Sequence, residues 1–523
     1  MTRVERPPDT DASPVPRSAW RRDVLVLAIG AVLFRLPAFF APRHLTFDDG
    51  QYGTVVLGLR DGDLPFKDLF SSQGPLYYPL LGIADLVGLR TMDGPRALTV
   101  AAGAVAAIAT YAIARHLTGR WAAFVAGALV ATSGSVLYVT GPLAGDGPAL
   151  ALALTAVALA CTYRARPSVG RAVLIGLAMG AALCVKLIVA PAAIAVAVLV
   201  LGAPSARRWR DAVVAVATAI AVAILTALPW GIDRVWDQSV AYHRDSERLR
   251  SYGGNTWTLV KTLAERDPFV LAAVVAAAVT AIVVAWRRRH DGATAAPATS
   301  WATSGQTSAD LALTTSLYVL VPWTVAQAAF LVIEPAMWRP HVSQIVAPLA
   351  LLAVLRPAPW RVLAVVGVLL VPWWVVNTRP MLWPESYTRS EQAVVDRLAA
   401  LPEDAWVISD DPGFAWRADR RVPGEYVDVS MKRFQQGALT RRDVLRDADD
   451  PRVCAVVVWS GDRLGACRGS APTSRIEATR SRRATPVRPR GCSTSGRAAT
   501  RRASVAPGAD RADPTTAAVA LVR

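Results

Sequence analysis

Two adjacent carboxylates, Asp48 and Asp49, stand just beyond the first long apolar run of the chain, residues 22–40. A carboxylate works as a general base once its pKa is lifted, and both a low-dielectric setting and a neighbouring acid lift it. Placed beside a hydroxyl, such a base can take the proton while the oxygen attacks. Asp-Asp-Gly is also ordinary turn chemistry, and on spacing alone the turn comes first. The company of the pair points further. Tyr52 follows four residues after Asp48, then come Leu64-Pro65-Phe66-Lys67-Asp68 and Gln73-Gly74-Pro75-Leu76-Tyr77-Tyr78. A passive connector between membrane helices is short and polar, whereas residues 41–95 mix acids, aromatics, Gly and Pro, the make-up of a working loop.

A third acid, Asp146, lies in a short turn ahead of Pro148. Helix capping accounts for it there; facing Asp48, it would make a second acidic wall with room for a divalent cation. Three cations lie where a departing phosphate could be met: Arg96, Lys186 and Arg339. Lys186 is one of four lysines and sits inside an apolar run. An ionisable group so placed is functional by default, although snorkelling to the interface explains it equally well. Arg96 heads the second apolar run and admits the same two readings. Arg339, in Trp338-Arg339-Pro340-His341, has the forked donors that suit phosphate. His341 reads as a structural histidine, and Trp236, Tyr242 and Trp257, in a second long outer loop over roughly 231–268, as interfacial aromatics. No GxxxxGK or GxGxxG pattern occurs, which argues against a nucleotide-driven pump or a nucleotide-sugar site.

The elements that must position these residues are membrane helices. The chain has 523 residues, 53% hydrophobic, with a mean hydropathy of +0.32. Apolar runs recur at 22–40, 96–114, 121–139, 148–162, 171–186, 187–203, 212–230, 269–286, 311–333, 342–355 and 362–377. The net charge of +17 does not indicate nucleic acid: twelve arginines against three acids in residues 468–523 supply more than half of it, and most other basic clusters flank apolar runs. Placing those clusters inside gives about eleven spans, a cytoplasmic N-terminus and a C-terminal region outside. The fold class expected is mainly α. A disordered lead covers 1–20, a transmembrane domain 21–380, a small extracytoplasmic α/β domain 385–467 and a disordered Arg-rich tail 468–523. Within the α/β domain, residues 389–401 predict an amphipathic helix, 405–409 and 454–459 buried strands, and Asp410-Asp411 a strand-end turn. A frameshift in the coding sequence would produce the abrupt change of composition at the tail. Cys454 and Cys467, both outside on this topology, are placed to form a disulfide.

The run Asp48-Asp49-x-x-Tyr52, Leu64-Pro65-Phe66 and Gln73-Gly74-Pro75-Leu76-Tyr77-Tyr78 resembles the first outer loop of GT-C-fold membrane glycosyltransferases, nearest the protein O-mannosyltransferase and aminoarabinose-transferase-like group. Asp49 stands where Glu is usual, and Gln73-Gly74 where Lys-Pro is common in the aminoarabinose branch. The first change keeps a carboxylate; the second removes a cation. The resemblance implies transfer of a sugar from a polyprenyl-phosphate donor to a glycan, lipid or protein hydroxyl at the outer face of the plasma membrane. Asp48 would be the base, with Asp49 and Asp146 shaping the acidic site. Tyr52, Tyr77, Arg96, Lys186 and Arg339 would face substrate or lipid phosphate. A transporter or flippase would also need many spans but predicts internal repeats, and none is found. A non-catalytic envelope assembly protein keeping the fold would tolerate Asp48→Asn.

Overall fold

A computed structural model describes residues 17–245, 251–294, 308–335, 337–355, 360–460, 463–464 and 518–520. Each of the eleven apolar runs lies in helix. The helices are Arg17–Leu33 with Leu36–Phe39, Arg96–Leu117, Arg120–Thr132 with Gly134–Thr140, Asp146–Ala165, Val169–Val185, Ala192–Leu201, Arg208–Ala227, Pro268–Thr294, Ser308–Ile333, Ser343–Leu355 and Trp360–Leu382. Lipid offers the backbone no hydrogen-bond partner, so such runs must satisfy their amides internally. Among the described residues, five helices are long and apolar enough to cross a membrane, or seven if two bent pairs each count as one span. Val169–Val185, Ala192–Leu201 and Arg339–Leu355 are apolar but shorter. Val213, Val216, Ile220 and Leu225 of the Arg208–Ala227 helix are exposed, as on a lipid-facing surface, while Ala102, Ala106 and Ala109 let the Arg96–Leu117 helix pack closely inside. The chain is a polytopic membrane protein.

The connector after the first span is more ordered than a loop. Thr46 caps a helix, Phe47–Arg60, its hydroxyl accepting from the Asp49 amide at 3.1 Å. Asp48 and Asp49 fall in its first turn, where the helix dipole favours negative charge. The connector then returns to the bundle: the Gly74 and Leu76 amides donate to the carbonyls of Val185 and Cys184 at 3.2 and 3.0 Å. A Cβ at Gly74 would come within 2.1 Å of the Cys184 carbonyl oxygen, so only glycine permits this docking. The stretch 231–268, expected as a second long loop, is mostly short helices: Ile232–Trp236, Asp237–Ala241, Tyr242–Arg244 and Tyr252–Arg266. It latches the first connector. Gln238 accepts from the Ser71 amide at 2.8 Å, and the Ser239 hydroxyl donates to the Gln73 carbonyl at 2.6 Å.

In the C-terminal region, helix Arg389–Ala399 begins with a capping box between Thr388 and Glu391. Strand β1 (Trp406–Ser409) pairs in parallel with β2 (Val453–Val458), the helices Pro412–Arg417, Met431–Gln435 and Arg441–Ala448 lying between them in sequence. A third strand, β3 (Ala518–Ala520), pairs antiparallel with β2. Of the lead expected over 1–20, residues 17–20 begin the first helix, Arg17–Leu33, and 1–16 lie outside the described residues, as do Cys467 and the rest of the tail from 468; Cys454 is buried in β2. Asp410 accepts from the Trp459 and Ser460 amides, and Asp411 caps the Pro412–Arg417 helix, so this is a strand-end turn. That helix packs on Phe47–Arg60. The Trp416 ring is fully buried where a Cβ at Gly53 would approach within 2.0 Å.

Gly53→Ala should therefore force the two helices apart. We expect a loss of about 1–3 kcal/mol, read as a lowered thermal midpoint, with faster proteolysis near residues 384–388. An unchanged midpoint and cleavage rate would contradict this packing.

Candidate active site

Asp49 and Arg96 are both completely buried and form an ion pair at 2.5 Å. The remaining capacity of each is filled. Asp49 accepts from the Leu143 and Leu45 amides, both at 2.8 Å. Arg96 donates to the carbonyls of Ala38, Ala41 and Arg43 at 3.0, 3.1 and 2.7 Å. Burial works to raise the Asp49 pKa, but the Arg96 charge and these bonds outweigh it and hold the carboxyl below the usual range. One pair thus joins the end of the first span, the Phe47–Arg60 helix, the Arg96–Leu117 helix and the turn before Asp146. Arg96 was expected to face lipid phosphate. Its nitrogens are instead engaged within the fold, because Asp49 lies in the same buried corner.

Asp48, one residue earlier, has a different setting. It is half-buried. Burial pushes its carboxyl up to about 6, with Asp146 and Asp428 adding to the rise and Lys186 and His341 opposing it. These groups come from helix ends that meet here. Asp146 opens its helix and Lys186 caps the end of Val169–Val185; His341 precedes Ser343–Leu355. Lys186 Nζ lies 2.6 Å from Asp146 Oδ2. Gly145 occupies the cap position before Asp146, so the carboxylate is turned to lysine rather than to helix capping. His341 Nδ1 lies 2.8 Å from Glu334 Oε2, and Gln344 donates to the Asp146 carbonyl at 3.2 Å.

Tyr52 and Tyr77 meet edge to face with ring centroids 4.8 Å apart. Burial first, and the Asp48 charge second, raise both phenols well above their ordinary pKa, so both stay protonated. The Tyr77 hydroxyl and Asp146 Oδ1 are buried without a hydrogen-bond partner among the described residues. Buried polar atoms rarely go unsatisfied, and these two belong to residues within electrostatic reach of Asp48, which leaves them open to a ligand there. Arg339 stands apart: it is partly exposed and its carboxylate partner is Glu265.

The residues present do not fit the divalent cation considered between Asp48 and Asp146. Lys186 already holds the Asp146 carboxylate, and no three His, Cys, Asp or Glu among the described residues are grouped to ligate a metal. Glu334, Asp428, His243 and Lys432 border the site without having been singled out from sequence, and His341, read there as a structural histidine, acts electrostatically on Asp48. The one available signal was the scarcity of lysine.

The family model for dolichyl-phosphate-mannose-protein mannosyltransferase matches residues 73–232. The match takes in Tyr77, Arg96, Asp146 and Lys186 and leaves out Asp48 and Asp49. Among solved structures, ArnT from Cupriavidus metallidurans in the apo state is similar with a TM-score of 0.54 at 15% identity, over 78% of this chain and 85% of that one. The same protein bound to undecaprenyl phosphate gives 0.55 at 14%, over 78% and 86%. The archaeal oligosaccharyltransferase AglB from Archaeoglobus fulgidus, in complex with an inhibitory peptide and a dolichol-phosphate, gives 0.50 at 13%, over 85% and 70%. No curated protein matches the chain. At these identities the likeness is one of fold: the chain has a GT-C-like fold, as the first outer loop implied.

Arg96→Gln strands the Asp49 carboxylate. We expect a loss of about 3–5 kcal/mol, seen as a lower unfolding midpoint in detergent. The pair's contribution is present above the unfolded carboxyl pKa of about 4 and fades as pH falls through the lower folded value. The midpoint gap between wild type and Arg96→Gln should accordingly narrow in acid; a gap constant with pH would contradict the pairing.

Proposed function

We propose that this protein is an integral membrane glycosyltransferase that moves a sugar from a polyprenyl-phosphate donor to an acceptor hydroxyl, with inversion, at the outer face of the plasma membrane. The observation that carries the reading is Asp48: a carboxyl lifted to about 6, beside an ammonium and two unsatisfied buried polar atoms. The GT-C fold and the family match over 73–232 support it.

Asp48 takes the proton from the acceptor hydroxyl as its oxygen bonds to the anomeric carbon. The bond from that carbon to the phosphate oxygen breaks, and its electron pair leaves with the lipid phosphate. Lys186 meets the charge that develops there. Asp146 fixes the lysine, and its free oxygen and the Tyr77 hydroxyl are available to the sugar hydroxyls. Attack from the Asp48 side with departure toward Lys186 inverts the anomeric centre. Asp49 and Arg96 hold the first turn that aims Asp48. The outer-face assignment is supported by charge: Arg115, Arg164 and Arg171 lie at the ends of their helices opposite to Arg96, Asp146 and Lys186, as the positive-inside rule requires of an outward site.

Membranes given radiolabelled polyprenyl-phosphate sugars should transfer label. Asp48→Asn should lower the rate by roughly 10²–10⁴ without lowering insertion or the thermal midpoint. The wild-type rate should rise with pH through about 6, where Asp48 becomes a free base. Equal transfer by Asp48→Asn would remove that residue from its role, and no transfer from any donor would overturn the reading.

A further inference from the structure

Lys432 belongs to the short Met431–Gln435 helix of the C-terminal region, yet it borders the acidic cleft, within electrostatic reach of Glu334, Asp428 and Lys186. Its place is built from both sides. On its own helix, Arg433 lies over the Phe70 ring at 3.8 Å and pairs with Glu425 at 2.8 Å. Gln436 donates to the Tyr242 carbonyl at 3.1 Å, and the Tyr242 hydroxyl meets Ser430 Oγ at 3.2 Å. The helix is thereby clamped onto both outer segments of the membrane domain.

The partner of Lys432 is the telling feature. Its Nζ lies 3.0 Å from His243 Nδ1. The other nitrogen, Nε2, lies 2.8 Å from the Ser72 carbonyl, an oxygen that can only accept. Nε2 therefore carries the proton, Nδ1 offers its lone pair to the ammonium, and the imidazole is neutral. Burial, and next the Lys432 charge, push the His243 pKa down to about 4, which keeps it so. Lys186 is matched by Asp146, whereas among the described residues no carboxylate is within ion-pair distance of Lys432. Burial works to lower the Lys432 pKa while Glu334 and Asp428 oppose the fall, so an anion arriving at this amine would favour its charged form. An amine oriented by a neutral partner, with donors left over, is held at the edge of the cleft.

We propose that Lys432 binds the phosphate of the lipid-linked donor across the cleft from Lys186, with His243 as the positioning residue that aims its ammonium. The inference rests on the glycosyltransferase reading and assigns the C-terminal region a share in donor binding.

The test uses the full chain in phosphatidylcholine nanodiscs, with undecaprenyl phosphate as probe and undecaprenol, which lacks the phosphate, as control. Lys432→Gln should weaken undecaprenyl phosphate binding about tenfold or more and raise the donor KM alike, leaving the acceptor KM, the undecaprenol affinity and the thermal midpoint in place. Lys432→Arg should restore most of the affinity. His243→Gln, which still offers an acceptor, should retain more of it than His243→Phe. Wild-type affinity in Lys432→Gln, with wild type binding and transferring normally, would overturn this inference and leave the reading of the enzyme intact. Failure of wild type to bind the phosphate in preference to undecaprenol would overturn both.

Discussion

The buried ion pair between Asp49 and Arg96 is the constraint on which the site depends. Successive residues on an α-helix point about 100° apart. Once Asp49 is fixed inward on Arg96, Asp48 is rotated out of that corner toward the cleft. Two carboxylates of one type, one peptide bond apart, then receive opposite environments. One is charge-paired, fully hydrogen-bonded and held low; the other is desolvated near further acids and pushed up. Separating the pKa values of neighbouring acids is how a fold assigns a strut and a base. The same pair also ties the first span to the second, so the strut is part of the bundle's architecture and not an accessory to it.

Around this strut the protein assembles walls from distant pieces of chain. Gly74 lets the first connector return against the end of the Val169–Val185 helix, which brings Tyr77 beside the Lys186–Asp146 pair. The short helices of 231–244 latch that connector from the other side. The C-terminal region docks through Trp416 on Gly53 and through His44, whose Nε2 lies 3.1 Å from Asp411. Its contact with the Phe47–Arg60 helix is dense and aromatic, so that the helix bearing Asp48 is held from both the membrane side and the opposite side.

Much of this was legible because lipid imposes simple rules. Apolar runs bounded by arginine declare helices, and all eleven are helical. A glycine-proline return and a tyrosine four residues after an acid singled out the connector, and the structure brings its Asp48, Tyr52 and Tyr77 together. What could not be read was pairing. Arg96 at the head of a span looks the same whether it reaches outward or turns inward, and its partner lies far upstream in sequence. Asp146 before a proline looks like a cap, and only the fold brings Lys186 to it. The stretch 231–268 looked like a loop because the helices over 232–244 are too short to show a period and the longer one, Tyr252–Arg266, carries no apolar run of membrane-spanning length. Lys432 and His243 were missed for a related reason: apart from the scarcity of lysine neither stands out alone, and they meet only in a contact between two regions that sequence reading treats separately.

The division of roles between two neighbouring acids can be observed directly. Difference infrared spectroscopy of the protein in lipid, with ¹³C-labelled aspartate, follows the protonated-carboxyl band as pH is varied. The account predicts a band titrating near 6 that is absent from Asp48→Asn. Its persistence in that variant, or the absence of any aspartyl band titrating above about pH 5 in wild type, would contradict the assignment of Asp48 as the base.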